Sequence, residues 1–265
     1  MYYDYLFWSS QKDIENEVTF NYWNNEEIEN KKFWSIPEDN FEEFNKRFKK
    51  KGLFDQLETL IAKSGIDFRE SSGASLASGV CVLESIFLSE YSEVNDLYCI
   101  EFSKHRLMKI SPRVLGYYGI SPRRVHLCYG SFYDLKLDSE SLDFIILSQA
   151  FHHSAKPDYL MQEIRRVLRP GGIVFILGEP FFERMTIIKK WNIHVAAWLL
   201  DHKGFRKKKP RFIPRFSDLF PPNLEQGDIM YSYGEYKSVF RNAGFNYKRF
   251  IFREYNKQGF ILTKK

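Results

Sequence analysis

Two adjacent histidines, His152 and His153, offer the most direct chemistry in this chain. Imidazole changes charge near neutral pH, so either could take a proton from a hydroxyl acceptor. Such a pair could also hold a metal ion. However, Ser148-Gln149-Ala150-Phe151-His152-His153 contains no carboxylate or thiol at ligand spacing, so no metal is expected. Two further carboxylates, Glu101 before Phe102-Ser103 and Glu179 before Pro180, each follow an apolar run. From Lys203 to Arg215 the chain carries seven Lys or Arg and no acid. That run could recognise phosphate, a nucleotide-sugar or an acidic glycan. Its interleaved Phe205 and Phe212 would also suit nucleic acid, and a solvated loop is the simplest explanation.

The elements that must position these residues can be read from periodicity. Leu142 to Leu147 is a short run rich in Ile and Phe, as expected of a buried strand. Ser154–Pro157 breaks it, and from Asp158 the residues Leu160, Met161, Ile164, Val167 and Leu168 recur at helical spacing. Arg165, Arg166 and Arg169 suit the negative end of that helix, and Pro170-Gly171-Gly172 ends it before a second buried strand, Ile173 to Leu177. Strand, helix and strand at this spacing form a βαβ unit with parallel strands and a right-handed crossover. Ligands of such sheets bind at the carboxyl ends of strands, which points to the Ser148–His153 loop and the Gly178–Pro180 turn. The same reasoning predicts strands at Ile66–Arg69, Leu97–Ile100 and Val125–Cys128, and helices at Ala77–Ser89, His105–Tyr118 (with a kink at Ser111-Pro112), Met185–Leu200 and Tyr233–Ala243. A hairpin of Phe250–Arg253 and Phe260–Thr263 closes the chain, turning at Asn256-Lys257-Gln258-Gly259. Glu101 then falls at a strand tip, where nucleotide-binding folds grip ribose hydroxyls.

The pattern S-L-D-F-I-I-L-S-Q-A-F-H-H, followed by E-I-R-R-V-L-R-P-G-G, resembles class I S-adenosylmethionine-dependent methyltransferases, in particular the branch acting on small molecules. The likeness covers roughly Asp67 to Gly178 well and the C-terminal hairpin weakly, and it reaches neither the first sixty residues nor 181–230. It implies S-adenosyl-L-methionine as cofactor and S-adenosyl-L-homocysteine as product. It also implies an E/D-x-G-x-G turn after the first strand, which would fall on Glu70 with Ser72, Gly73 and Ala74, two of the glycine places holding other small residues. Ser131 stands where the family usually has an Asp for the adenine amine, and Phe132 could pack on the adenine face. Ser148 and Gln149 would line the cofactor, while His152, His153 and Glu179 would face the acceptor.

Composition bounds these readings. The 265 residues suit one domain with additions. No eighteen-residue apolar run and no basic-then-apolar leader occurs, so neither a membrane span nor a signal peptide is expected. Cys81, Cys99 and Cys128 read as buried free thiols, which suit a reducing cytoplasm. The net charge of +5 hides an asymmetry: residues 1–45 carry eleven acids against three lysines, a net of −8, leaving +13 on the remainder. Such a field would attract an anionic acceptor.

The expected architecture is therefore α/β: a seven-stranded, mostly parallel, doubly wound sheet with an aromatic and acidic helical cap (1–64), a cofactor-binding core (65–180), a substrate-side insertion (181–231) and a closing helix and hairpin (232–265). The expected activity is methyl transfer to a small molecule, suited to bacterial biosynthesis. A catalytically silent binding protein on the same fold is the alternative. A nucleic-acid methyltransferase is disfavoured, because the Asn/Asp-Pro-Pro-aromatic turn of the amino-methylating enzymes is absent at Ser148–Phe151.

Overall fold

Strands whose residues are apolar on both faces need cover on both, and the computed structural model provides it. It describes residues 2–10, 12, 20–25, 41–201, 213–223 and 226–265. Eight strands form one sheet: β1 (Tyr5–Phe7), β2 (Ser72–Leu76), β3 (Asp96–Glu101), β4 (Val125–Tyr129), β5 (Leu142–Ser148), β6 (Leu168–Pro180), β7 (Phe245–Phe252) and β8 (Lys257–Lys264). Their order is β1-β4-β3-β2-β5-β6-β8-β7, with β8 antiparallel to both β6 and β7 and the other pairs parallel. From β2 the chain winds outward to β3 and β4, then returns to build β5 and β6 on the other side. The β2/β5 boundary is therefore the switch point, where clefts of such sheets open.

Alternation along the central strands feeds two cores. Phe144, Ile146, Ile173, Phe175 and Leu177 pack into one, with Leu57, Leu60 and Phe87. Ile145, Leu147, Val174 and Ile176 pack into the other, with Leu160, Ile164 and Phe240. The first core is covered by α3 (Leu53–Ser64), α4 (Val82–Glu90) and α5 (Ser111–Tyr117), the second by α6 (Pro157–Val167) and α9 (Tyr233–Asn242). The remaining helices among the described residues are α1 (Phe20–Trp23), α2 (Phe41–Lys49), α7 (Arg184–Asp201) and α8 (Phe216–Leu219). Serine at 232 and Glu235 close a reciprocal capping box on α9.

The α/β class, the parallel core, the βαβ unit and the antiparallel end agree with expectation. Three features differ. First, the sheet has eight strands, because Tyr5–Phe7 of the expected helical cap pairs with Leu127–Tyr129 at the sheet edge. Second, the opening strand is Ser72–Leu76, and Ile66–Arg69 forms no strand. The phenyl ring of Phe144 lies across Gly73 so closely that a Cβ there would stand 2.3 Å from it, so a strand of small residues is what the neighbouring aromatics require. Phe68 and Phe87 flank the same ring at centroid distances of 5.0 and 5.6 Å. Third, the last two strands are longer than expected and turn through Arg253–Tyr255 with Asn256 left-handed, while Lys257–Gly259 already belongs to β8. At Ser111-Pro112, where a kink is expected, a π-type turn, His105–Ile110, passes into α5, and Ser111 Oγ donates to the Arg106 carbonyl at 3.0 Å. All three cysteines are buried and free. No helix among the described residues is long and apolar enough to cross a membrane.

Two glycines should respond oppositely to an added methyl. Gly73→Ala must displace Phe144, so it should cost about 1–3 kcal/mol and lower the melting temperature by several degrees. Gly116→Ala, on the exposed side of α5 with nothing within 4 Å, should raise it slightly through helix propensity, by about 0.5–1 kcal/mol. Thermal melts of the two variants check both signs.

Candidate functional site

At the carboxyl ends of β2, β3 and β5 the sheet opens into a cleft of about 230 Å³. Its floor is the β2–α4 turn, Ala77-Ser78-Gly79-Val80, and its walls are Glu84, Glu101, Phe102, Phe132, Ser148 and Gln149. Ala77, Gly79 and Cys81 all adopt positive φ, at 56°, 61° and 58°. Two of these three left-handed positions are therefore held by residues with a Cβ, a strain of the kind that gathers at functional sites.

Glu101 fixes the turn to the strand tip. One carboxylate oxygen accepts from Gly79 N at 2.9 Å and the other from Ser103 N at 2.8 Å, with the residue 4% exposed. Glu84, from the first turn of α4, is 2% exposed. It accepts from Ser75 Oγ at 2.5 Å through Oε1, while Oε2 has no hydrogen-bond partner. Burial pushes its carboxyl up to about 7, against the Ser75 hydrogen bond and with help from the Glu101 charge.

On the opposite wall stand His152 and His153, in a 3₁₀ turn after β5 (Phe151–His153). Behind them Glu179, wholly buried, accepts from Phe151 N at 3.2 Å, His152 Nδ1 at 3.1 Å and Tyr236 Oη at 2.7 Å. Burial alone would raise its carboxyl, but the electrostatic attraction of the His152 ring and the hydrogen bonds from His152 and Tyr236 outweigh that and hold it below the usual carboxylate range. A carboxylate only accepts, so the His152 proton sits on Nδ1 and Nε2 is left toward the cleft. His153 is pushed down to about 3, first by burial and then by its neighbour His152, and is neutral at pH 7. Asp228 arrives from a distant segment, pinned by Ile229 N donating to the His152 carbonyl at 2.8 Å. Its Oδ1 lies 3.3 Å from His153 Nδ1. Trp23 covers the same corner, 5.5 Å from the His153 ring and with its indole N–H on the Gln226 carbonyl at 3.2 Å.

Of the residues singled out in the sequence, Glu101, Phe102, Phe132, Ser148, Gln149, His152 and His153 line this cleft. Glu179 stands directly behind it. Four do not reach it: Glu70 precedes β2, and Ser72, Gly73 and Ala74 lie within that strand, toward the end away from the cleft. The strand begins later than its weak apolar signal suggested, which moves the turn to 77–81. Ser131 follows β4, but its Oγ accepts from Tyr133 N at 3.2 Å and does not line the cleft. Glu84, Asp228, Arg106 and Trp23 were missed. A lone acid inside the apolar run Val82–Leu88 was the available signal for Glu84, whereas Asp228 is joined to the site only by the fold. Residues 203–212 of the basic run and most of the acidic arm lie outside the described residues.

With this geometry in place, the comparisons are specific. Residues 79–176 match the family model described as "Methyltransferase domain". Among solved structures, a SAM-dependent methyltransferase from Aquifex aeolicus is 16% identical over 82% of this chain and 93% of its own, with a TM-score of 0.56. A protein from Methanococcus maripaludis assigned as an S-adenosyl-L-methionine-dependent methyltransferase is 16% identical over 94% and 95%, with a TM-score of 0.54. One from Nostoc punctiforme assigned as an O-methyltransferase is 12% identical over 96% and 72%, with a TM-score of 0.58. These likenesses speak to the fold. A curated relative, an uncharacterized 37.1 kDa protein of transposon TN4556 from Streptomyces fradiae, is 38% identical over 58 residues, 22% of this chain and 16% of that protein's length. The segment that the family model matches, residues 79–176, runs from the strained turn into the second buried strand, and it contains Glu101, Phe132 and both histidines. Residues 79–176 thus match a methyltransferase domain, on a sheet whose fold solved S-adenosylmethionine-dependent methyltransferases share.

Proposed function

We propose that the protein transfers a methyl group from S-adenosyl-L-methionine to a small-molecule acceptor. The observation that carries this reading is the Glu101 carboxylate, locked by Gly79 and Ser103 amides at the tip of β3, beside the switch point of the sheet. The residues present fit the cofactor: an orphaned, buried Glu84 oxygen calls for a cationic ligand group, and the open turn allows close backbone approach. When bound, the cofactor supplies an activated methyl group on a sulfonium sulfur.

The chain's residues then divide the work. Glu101 would accept from both ribose hydroxyls, and Phe102 and Phe132 would enclose the adenine. The Ala77–Val80 backbone would run along the methionine end, where Glu84 would hold the amino group. Ser148 and Gln149 would bound the reacting centre, and His152, its ring fixed by Glu179, would present Nε2 to the acceptor. Trp23 would exclude water from that corner. Most of the rate would come from this positioning. The expected anionic or sugar-like acceptor remains part of the proposal through the basic run, and a cytoplasmic setting is consistent with the three free thiols. A second reading, a silent binding protein, is favoured by one observation: the side chains at the left-handed positions Ala77 and Cys81.

Calorimetric titration with S-adenosyl-L-homocysteine separates the two. Micromolar binding, about −8 kcal/mol, weakened tenfold or more by Glu101→Ala, is expected; an unchanged affinity in that variant would remove the proposed placement of the cofactor. Glu84 gives a further check. Its folded pKa of about 7 lies above its ordinary value of 4.5, so stability is complete below about pH 4.5 and is lost as pH rises through 7. Glu84→Gln should therefore leave the melting temperature near that of the parent at pH 5 and raise it at pH 8, by a difference on the order of 3 kcal/mol. The same variant should bind the homocysteine product more weakly, a loss that a purely structural Glu84 would not produce.

A further inference from the structure

The acceptor wall holds a constellation of which the methyl-transfer reading uses only His152. One nitrogen from each of His152 and His153 and one oxygen of Asp228 lie within 4.8 Å of one another. Asp228 Oδ1 is 3.9 Å from His152 Nε2 and 3.3 Å from His153 Nδ1, and that Nδ1 makes no hydrogen bond. An ion with bonds of about 2.0–2.2 Å sets its donors roughly 3.0–3.5 Å apart, so small side-chain movements would close the three atoms around one. All three residues line the same cleft as Glu101 and Gly79.

A second observation is independent of that spacing. His152 turns its other nitrogen onto the wholly buried Glu179, itself held by Tyr236 Oη at 2.7 Å and Phe151 N at 3.2 Å. A carboxylate behind the ring is how metal-binding histidines are oriented and made more basic. Asp228 and Glu179 together bring two negative charges, which would balance a divalent ion; Arg106 and Lys257 are the cations that face the cluster.

We propose that His152, His153 and Asp228 bind one divalent first-row transition-metal ion, which holds the acceptor's nucleophilic oxygen beside the donor cleft. Two imidazoles and one carboxylate suit Zn²⁺, Co²⁺ or Fe²⁺, whereas Mg²⁺ and Ca²⁺ prefer oxygen donors. Three protein ligands leave coordination positions open, as in catalytic sites. The acceptor role of the ion rests on the methyl-transfer reading; the ion site itself does not. On binding, the acceptor O–H would release its proton to solvent. The oxygen would then form the O–C bond as the C–S bond breaks, and that electron pair would neutralise the sulfonium sulfur. His152 would serve as ligand, with no need of a base.

The test uses the purified full-length chain, stripped with a chelator and titrated with Co²⁺, read by its visible d–d absorption, and with Zn²⁺, read by calorimetry. One ion per chain is expected. Affinity should fall at least a hundredfold in His153→Gln and Asp228→Asn, which keep side-chain size, and ten- to a hundredfold in Glu179→Gln; melting temperatures of the variants show that they fold. Parent protein that binds Co²⁺ no more tightly than the His153→Gln/Asp228→Asn double variant would overturn the site. Titration of the same samples with S-adenosyl-L-homocysteine keeps the two readings apart. Metal binding without homocysteine binding retains the ion site and removes methyl transfer. The converse removes the ion and returns His152 Nε2 to the role of base.

Discussion

A sheet whose central strands are apolar on both faces cannot leave either face to water, and this requirement organises the molecule. β5 and β6 send alternate side chains into two separate cores, and helices must cover each. With both faces closed, the strand ends are where the backbone opens, and the reversal of winding between β2 and β5 leaves a gap at their carboxyl ends. The cleft is in this sense a consequence of packing. Chemistry was fitted into a space that the cores had already defined.

Three buried carboxylates line or back that space, and each meets the cost of burial differently. Glu101 is satisfied by two backbone amides and serves as a rivet between turn and strand. Glu179 is held charged by a histidine and a tyrosine, and it aims the His152 ring. Glu84 has one hydroxyl donor and one empty oxygen, and it compensates by tending toward protonation. Structure alone explains Glu179, which stands behind the cleft, whereas Glu101 lines it. The third is incomplete without a ligand, which is why it speaks most directly to a cationic group in the cleft.

Much of this was legible in the chain because it is local. The unit from Leu142 to Leu177 announces itself by apolar runs, helical spacing and a Pro-Gly-Gly stop, and it carried the histidine loop and Glu179 to the correct end of the sheet. The opening strand was misplaced for an equally physical reason: Ser72–Leu76 has almost no apolar signal, because Phe144 fills the room that its side chains would take. Shifting that strand by a few residues displaced the whole turn, so Glu70, Ser72, Gly73 and Ala74 were read as a ligand loop. Asp228 and Trp23 could not have been found, since contacts such as Ile229 N with His152 O join positions 77 residues apart and leave no trace in spacing. The absence of a carboxylate near the histidines was true of the sequence and untrue of the space around them.

The short strand at the sheet margin has a different kind of consequence. β1 pairs only Tyr5–Phe7 with β4, while Tyr3 Oη reaches the Ile120 carbonyl at 2.7 Å and Trp8 N reaches the Tyr129 carbonyl at 2.9 Å. Without it, β4 would present five residues of unpaired backbone, Val-His-Leu-Cys-Tyr, as a template for strand addition by another molecule. A three-residue ladder offers far less purchase. Tyr5–Phe7 thus shorten the exposed edge that β4 would otherwise offer to another molecule.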